Sequence, residues 1–301
     1  MMYRHTITVY DSTFSLVKTI SDSVDLSAYG IEGHPGLSQG APVEAAVTPD
    51  QKYVYVSNYS MSGAGFGPGG NDTCTPSYPT SPSYVYRIRL DTLTIDRVIP
   101  VNKVPKFLAV SPNGKYLLVS NWCSYSLSVI DAVTLTPLYE VDLGPYPRGI
   151  AISPDSTTAY IALMGTSDVA VVAIASGSLT WIRNVGSGVR HINISPDGKF
   201  LYVTCDRAGY VAKVDTATGS VISRLPTGAS PRSAALSTDG RFLYVVNYES
   251  GTVSVVDAGA MKVTQTIPVD HHPIGITYDP LTAQVWVSCY SGTIRVFAPA
   301  A

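Results

Sequence analysis

At 301 residues the chain is long enough for one large domain or two small ones, and 45% hydrophobic against 14% charged residues, with Gly 25, Pro 21 and Tyr 20, excludes a disordered chain in favour of a turn-rich, packed one. A formal net charge of −2 excludes a broad electrostatic pull toward nucleic acid or an anionic membrane, so neither is expected as a partner. No stretch approaches the roughly 18 apolar residues of a spanning helix. The start Met1-Met2-Tyr3-Arg4-His5 runs straight into an alternating pattern without an apolar signal core. A soluble cytoplasmic protein is therefore expected. Its cysteines, Cys74, Cys123, Cys205 and Cys289, lack CxxC spacing and should be mostly free thiols in a reducing compartment; Cys74 and Cys123, both in loops, could pair if the protein were exported.

Taken in chain order, residues 6–20 (TITVYDSTFSLVKTI) predict two strands, and 21–41 read as irregular. From Pro42 onward the chain repeats itself. Turn sequences TPDQK (48–52), SPNGK (111–115), SPDST (153–157), SPDGK (195–199) and STDGR (237–241) each precede an apolar strand. Second strands of the units read YVYVSN (53–58), YLLVSN (116–121), FLYVTC (200–205), FLYVVN (242–247) and QVWVSC (284–289). Their last positions, Asn121, Leu163, Cys205, Asn247 and Cys289, advance in steps of 42 residues, while Asn58 lies 63 before Asn121, so the first unit carries an insertion of 21 residues. That insertion falls in 60–82, SMSGAGFGPGGNDTCTPSYPTSP, a Gly-rich loop sequence. A third strand (126–134, 212–219, 253–260) and a fourth complete each unit, and no helical period appears anywhere.

Four short strands per 42 residues predict an all-β propeller of four-stranded blades, a single domain over 1–301 with insertions at about 21–41 and 60–82. Units begin at Pro42, Pro105, Pro147, Val189, Pro231 and Pro273, which counts six blades, with seven the alternative. The last unit stops at Ala301 after three strands, so the N-terminal strand is expected to close the C-terminal blade. On these motifs the chain resembles the YVTN-repeat propellers, related in shape to surface-layer-type, YncE-like and streptogramin-lyase-like proteins. The resemblance covers nearly the whole chain and implies the fold; the family's functions are heterogeneous, so it implies no one activity.

Aligning the units on one another gives three rows of residues expected at one face. The residue after each opening Pro or Val is Val43, Lys106, Arg148, Arg190, Arg232 and Ile274, so four successive blades present a cation suited to carboxylate, enolate or phosphate, unless paired with backbone or with Asp206 and Glu249. One position on, the repeat prefers small side chains (Gly149, Ser233, Gly275), yet Glu44 and His191 stand there in blades one and four, a candidate acid/base pair. The residue after the strand-ending Asn is Tyr59, Trp122, Met164, Asp206, Tyr248 and Tyr290, a rim of flat or soft side chains. Asn58, Asn121 and Asn247 themselves are expected to bond backbone. His272, beside His271 at the last corner, joins the same face without a metal-ligand cluster around it; no metal site and no cofactor is read from the sequence.

These rows predict a site for an anionic, partly apolar small molecule, with Lys106, Arg232, Tyr59, Trp122, Met164, Tyr248, Tyr290 and His272 binding and Glu44, His191, Arg148 and Arg190 catalytic, in a cofactor-independent enzyme of the lyase, isomerase or cyclase type. The alternative is a non-catalytic propeller holding a protein, peptide or glycan partner on its Tyr- and Gly-rich loops.

Overall fold

The structure is a computed structural model and describes residues 5–298; the Met1–Arg4 start and the Ala301 at which the last repeat stops lie outside the described residues. The chain divides into two compact units, Met1–Arg148 and Gly149–Ala301. Each is a succession of antiparallel sheets in which consecutive strands neighbour one another.

In the first unit β1 (Thr6–Tyr10) and β2 (Leu16–Ser21) form a hairpin, and β3 (Ser23–Asp25) pairs with β4 (Leu37–Gln39). Two full sheets follow: β5 (Pro42–Val47), β6 (Tyr53–Asn58), β7 (Ser83–Arg89), β8 (Thr94–Val101), then β9 (Pro105–Val110), β10 (Tyr116–Asn121), β11 (Ser126–Asp131), β12 (Pro137–Asp142). The stretch expected to be irregular before Pro42 thus holds two short strands and a 3-10 turn, Leu26–Tyr29, capped by Asp25 and ended by Gly30. Tyr55 and Leu117, 1% and 0% exposed, sit in one cluster with Val85, Ile99, Leu108 and Ile130, which welds the two full sheets; the Tyr55 hydroxyl donates to the Ala132 carbonyl at 3.1 Å. Burying each such side chain contributes about 1.5–3 kcal/mol.

The next sheet begins with β13 (Pro147–Ile152), which spans the boundary, and continues with β14 (Thr158–Leu163), β15 (Val169–Ala173) and β16 (Ser178–Ile182). After it come β17 (Val189–Ile194), β18 (Phe200–Cys205), β19 (Tyr210–Asp215), β20 (Val221–Pro226), then β21 (Pro231–Leu236), β22 (Phe242–Asn247), β23 (Thr252–Asp257), β24 (Lys262–Pro268), and finally β25 (Pro273–Tyr278), β26 (Val285–Cys289), β27 (Ile294–Phe297). Tyr202, the repeat equivalent of Tyr55, makes the same bond here, to the Ala258 carbonyl at 3.1 Å. Among the described residues the last sheet has three strands, and β1 pairs with β2 in a hairpin whose turn is held by Asp11 accepting from the Thr13 and Ser15 amides.

The predicted turns close as their chemistry requires. In each, a Ser or Thr hydroxyl (Thr48, Ser111, Ser153, Ser195, Ser237) donates to the Asp or Asn two residues on, and that side chain accepts the amide of the residue two further. Where the repeat carries Gly the backbone is left-handed, as at Gly198 (φ 74°); Gln51 and Ser156 take the same conformation without that freedom (φ 56° and 62°).

Candidate functional site

Within each unit, two hydrogen bonds that recur with the repeat fix the backbone that carries the aligned rows. The residue after the strand-ending position donates its amide to the carbonyl of the residue preceding the opening Pro or Val: Tyr59 to Ala41, Trp122 to Val104, Asp206 to Gly188, Tyr248 to Ser230 and Tyr290 to His272, at 2.8–3.1 Å. The hydroxyl one residue before the strand end reaches the next sheet: Ser120 donates to the Arg148 carbonyl at 2.7 Å and Thr204 to the Arg232 carbonyl at 3.2 Å. Cation and rim side chain therefore rise from fixed neighbouring backbone. The strand-ending Asn residues behave differently from one another: Asn58 bonds the Tyr84 carbonyl as expected, whereas Asn121 and Asn247 bond hydroxyls on the next strand, Ser126 and Ser128, Thr252 and Ser254.

In the first unit Lys106 is 5% exposed, with Nζ 3.7 Å from the Trp122 ring and 5.3 Å from that of Tyr59. Trp122 in turn lies 4.6 Å from Tyr146, and Tyr125 meets Tyr146 edge-on at 5.3 Å; burial, and then the hydrogen bond and charge of the Tyr146 hydroxyl, push the Tyr125 hydroxyl up to about 12. Tyr146 precedes an opening Pro and is left-handed (φ 61°), the turn that throws its ring onto Trp122. The ammonium does not stand alone: Asp72, on the inserted loop, takes it at 2.5 Å. That loop is pinned just after Asp72. Cys74 and Cys123 form a disulfide, Lys103 donates to the Pro76 and Tyr78 carbonyls, and the Tyr146 hydroxyl donates to the Thr73 carbonyl. The expectation of free thiols is corrected for this pair, because the insertion folds back over the second full sheet; Cys205 and Cys289 are free and buried, and burial pushes the Cys205 thiol up to about 12.

The second unit contains the same construction. The Arg232 guanidinium carbon lies 3.5 Å from the centre of the Tyr248 ring, and His272, left-handed before its Pro (φ 55°), stacks on Tyr248 at 4.3 Å and 12°. Tyr290 meets Tyr248 edge-on at 5.9 Å. Lys106, Trp122 and Tyr146 stand 126 residues, three repeats, before Arg232, Tyr248 and His272. Asp206 is 7% exposed, with Oδ1 3.8 Å from Arg232 Nε; neither atom has a hydrogen bond. Arg190, 6% exposed, directs a guanidinium nitrogen to the Met164 sulfur at 3.9 Å. Beyond His272 a pocket of about 320 Å³ is lined by Tyr248, Glu249, Val269, Asp270, His271 and His272. Its Glu249 lies 3.9 Å from His272 Nε2, and Arg295 with Thr293 hold Asp270 down to about 2.

The remaining residues singled out fall as follows. Glu44 is on β5 opposite Ser57 in the first unit, and His191 on β17 opposite Thr204 in the second, its amide donating to the Thr204 hydroxyl. Arg148 ends the first unit. The small-residue preference has a steric cause at Gly149, where a Cβ would come within 2.8 Å of the His191 Cα. Among the described residues no cluster of three or more His, Cys, Asp or Glu side chains could hold a metal. Asp72 and Tyr146 escaped the sequence reading, although Tyr146 stands in a readable row, the residues one before each opening position: Val104, Tyr146, Gly188, Ser230 and His272.

Residues 160–279 match the sequence model of the cytochrome D1 heme domain. No curated protein matches the chain. Among solved structures the chain is similar to hydrazine synthase of Kuenenia stuttgartiensis, with a TM-score of 0.77, 20% identity, and coverage of 99% of this chain and 91% of that one. The likeness shows the fold, an all-β propeller of six four-stranded blades.

Proposed function

We propose that the chain is a small-molecule-binding propeller, in kinship one of the YVTN-repeat group, whose ligand has a flat, partly apolar body and an acidic or hydroxylic oxygen edge. The observation that carries this reading is the recurrence of the cation, ring, ring stack at Lys106/Trp122/Tyr146 and Arg232/Tyr248/His272. The fold does not demand such stacks: the corresponding triples Arg148/Met164/Gly188 and Arg190/Asp206/Ser230 carry no ring. Cations held against ring faces and away from water suit a flat molecule with oxygen functions.

The heme that the matching family's description names does not fit the pocket beside the second stack. A heme needs an apolar slot and an axial nitrogen aimed at its iron. Here the His272 ring lies flat on Tyr248, its Nε2 faces Glu249, and the carboxylates of Glu249 and Asp270 line the wall where propionates would be repelled. The Cys74–Cys123 disulfide supports a working place in an oxidising compartment rather than the cytoplasm.

The test is a thermal-melting screen of planar carboxylates and hydroxylated rings on the wild type and on Arg232→Ala and Tyr248→Ala. A ligand in large excess over its Kd should raise the wild-type melting point by a few degrees and leave both variants unmoved. Equal shifts in all three proteins, or none with any planar ligand, would remove the proposal and favour a macromolecular partner.

A further inference from the structure

The pocket beside His272 carries chemistry that neither cation of the stacks supplies. It lies between two loops of the second unit, 248–251 joining β22 to β23 and 269–272 joining β24 to β25, and holds about 320 Å³. Both loops are fixed by backbone: the Glu249 amide donates to the Ala229 carbonyl at 3.2 Å, and the Val269 amide crosses to the Gly251 carbonyl at 2.9 Å. A ligand can reach the pocket from solvent, because the Glu249 and His272 side chains on its wall are 55% and 47% exposed. That wall is made of acceptors and rings. Asp270 has both carboxylate oxygens engaged by Arg295 and Thr293, whereas the Glu249 carboxylate stands 3.9 Å from His272 Nε2, beyond hydrogen-bond length. A Cβ at Gly251 would lie 3.7 and 4.0 Å from the Val269 and Asp270 carbonyl oxygens, so its omission leaves two more acceptors beside the cavity. Tyr248, His271 and His272 supply the rings. Among the described residues lining the pocket there is no lysine or arginine, so the wall offers a guest the Glu249 carboxylate and no permanent positive charge.

We infer that this pocket binds a flat organic cation of the amidinium or guanidinium class, with its paired N–H groups on the Glu249 carboxylate and its plane against the ring wall. Two N–H groups in one plane match the two oxygens of a carboxylate, and the charge on both partners strengthens the bonds. A cation is also drawn to aromatic faces, which an anion is not. A planar carboxylate meets like charge from Glu249, and a neutral amide of the same shape keeps the donors but loses the charge assistance. The site goes beyond the oxygen-bearing ligand proposed above and stands on a different charge, Glu249 in place of Arg232.

NMR titration with benzamidine, benzamide and benzoate, three probes of one shape and different charge, tests this on the wild type and on Glu249→Gln near neutral pH. Affinity is read from the Gly251 amide and His271 ring signals, which report this pocket. Benzamidine should bind the wild type at least about fivefold more tightly than benzamide, a preference kept modest by the exposure of Glu249, and benzoate should bind weakest there. Glu249→Gln keeps the shape of a half-exposed side chain and removes its charge, and the preference should shrink to within about twofold. Equal affinities of benzamidine and benzamide in the wild type, a result that needs no variant, would overturn the inference. So would a preference that survives in Glu249→Gln, or tightest binding of benzoate at these signals. The two readings fail separately, since planar carboxylates and hydroxylated rings probe the stack and benzamidine probes the pocket.

Discussion

The stacks at Lys106 and Arg232 are built alike and finished differently. At Lys106 an inserted loop lowers Asp72 onto the ammonium at 2.5 Å, and a disulfide keeps it there. At Arg232 the acid is Asp206, from the row that holds rings elsewhere; it stops 3.8 Å short, with a pocket beyond His272. The same repeat yields one cation hydrogen-bonded by the chain's own carboxylate and one whose Nε makes no hydrogen bond to the carboxylate nearest it. The lesson is that a cationic row read from a repeat gives positions, and the carboxylates facing each cation decide its chemistry.

The largest expected effect separates the stacks by their locks. Replacing Cys74 and Cys123 together by Ser should destabilise the chain by about 2–4 kcal/mol in denaturant unfolding, while ligand binding at the Arg232 stack stays unchanged. A weakened Arg232 site in that variant would mean that the two stacks are not independent. Next comes Asp72→Asn, which leaves Lys106 buried without its carboxylate and should cost about 1–3 kcal/mol. It should also let a planar carboxylate bind at Lys106, raising the measured stoichiometry from one to two. The smallest effect concerns the pocket wall. Asp270, held down to about 2 by Arg295 and Thr293, contributes stability that is present above its ordinary 3.8 and lost as pH falls from there through about 2. Asp270→Asn should flatten that part of the acid-melting curve, and an unchanged curve would show that the Arg295 bond contributes nothing there.

How much of this was legible follows from what the repeat can and cannot carry. The sheets, the turns, the cation row and the ring row all recur at a fixed period, so aligning the chain on itself exposes them: Lys106 with Arg232, Trp122 with Tyr248. Asp72 lies in an insertion with no counterpart to align, and only tertiary packing brings it to Lys106. Tyr146 was hidden for another reason. Its ring reaches Trp122 because its backbone is left-handed, a conformation that a tyrosine does not announce. The N-terminal hairpin was read correctly as two strands, because its alternating pattern and turn are local features.

In the reading proposed above, the Arg232 stack is the open ligand site and the Lys106 stack a closed copy. Calorimetric titration of the wild type, Tyr248→Ala and Trp122→Ala with the tightest planar hydroxylated ring tests it most directly. One site per chain is expected in the wild type, lost in Tyr248→Ala and retained in Trp122→Ala. Retention in Tyr248→Ala, or loss in Trp122→Ala alone, would contradict it.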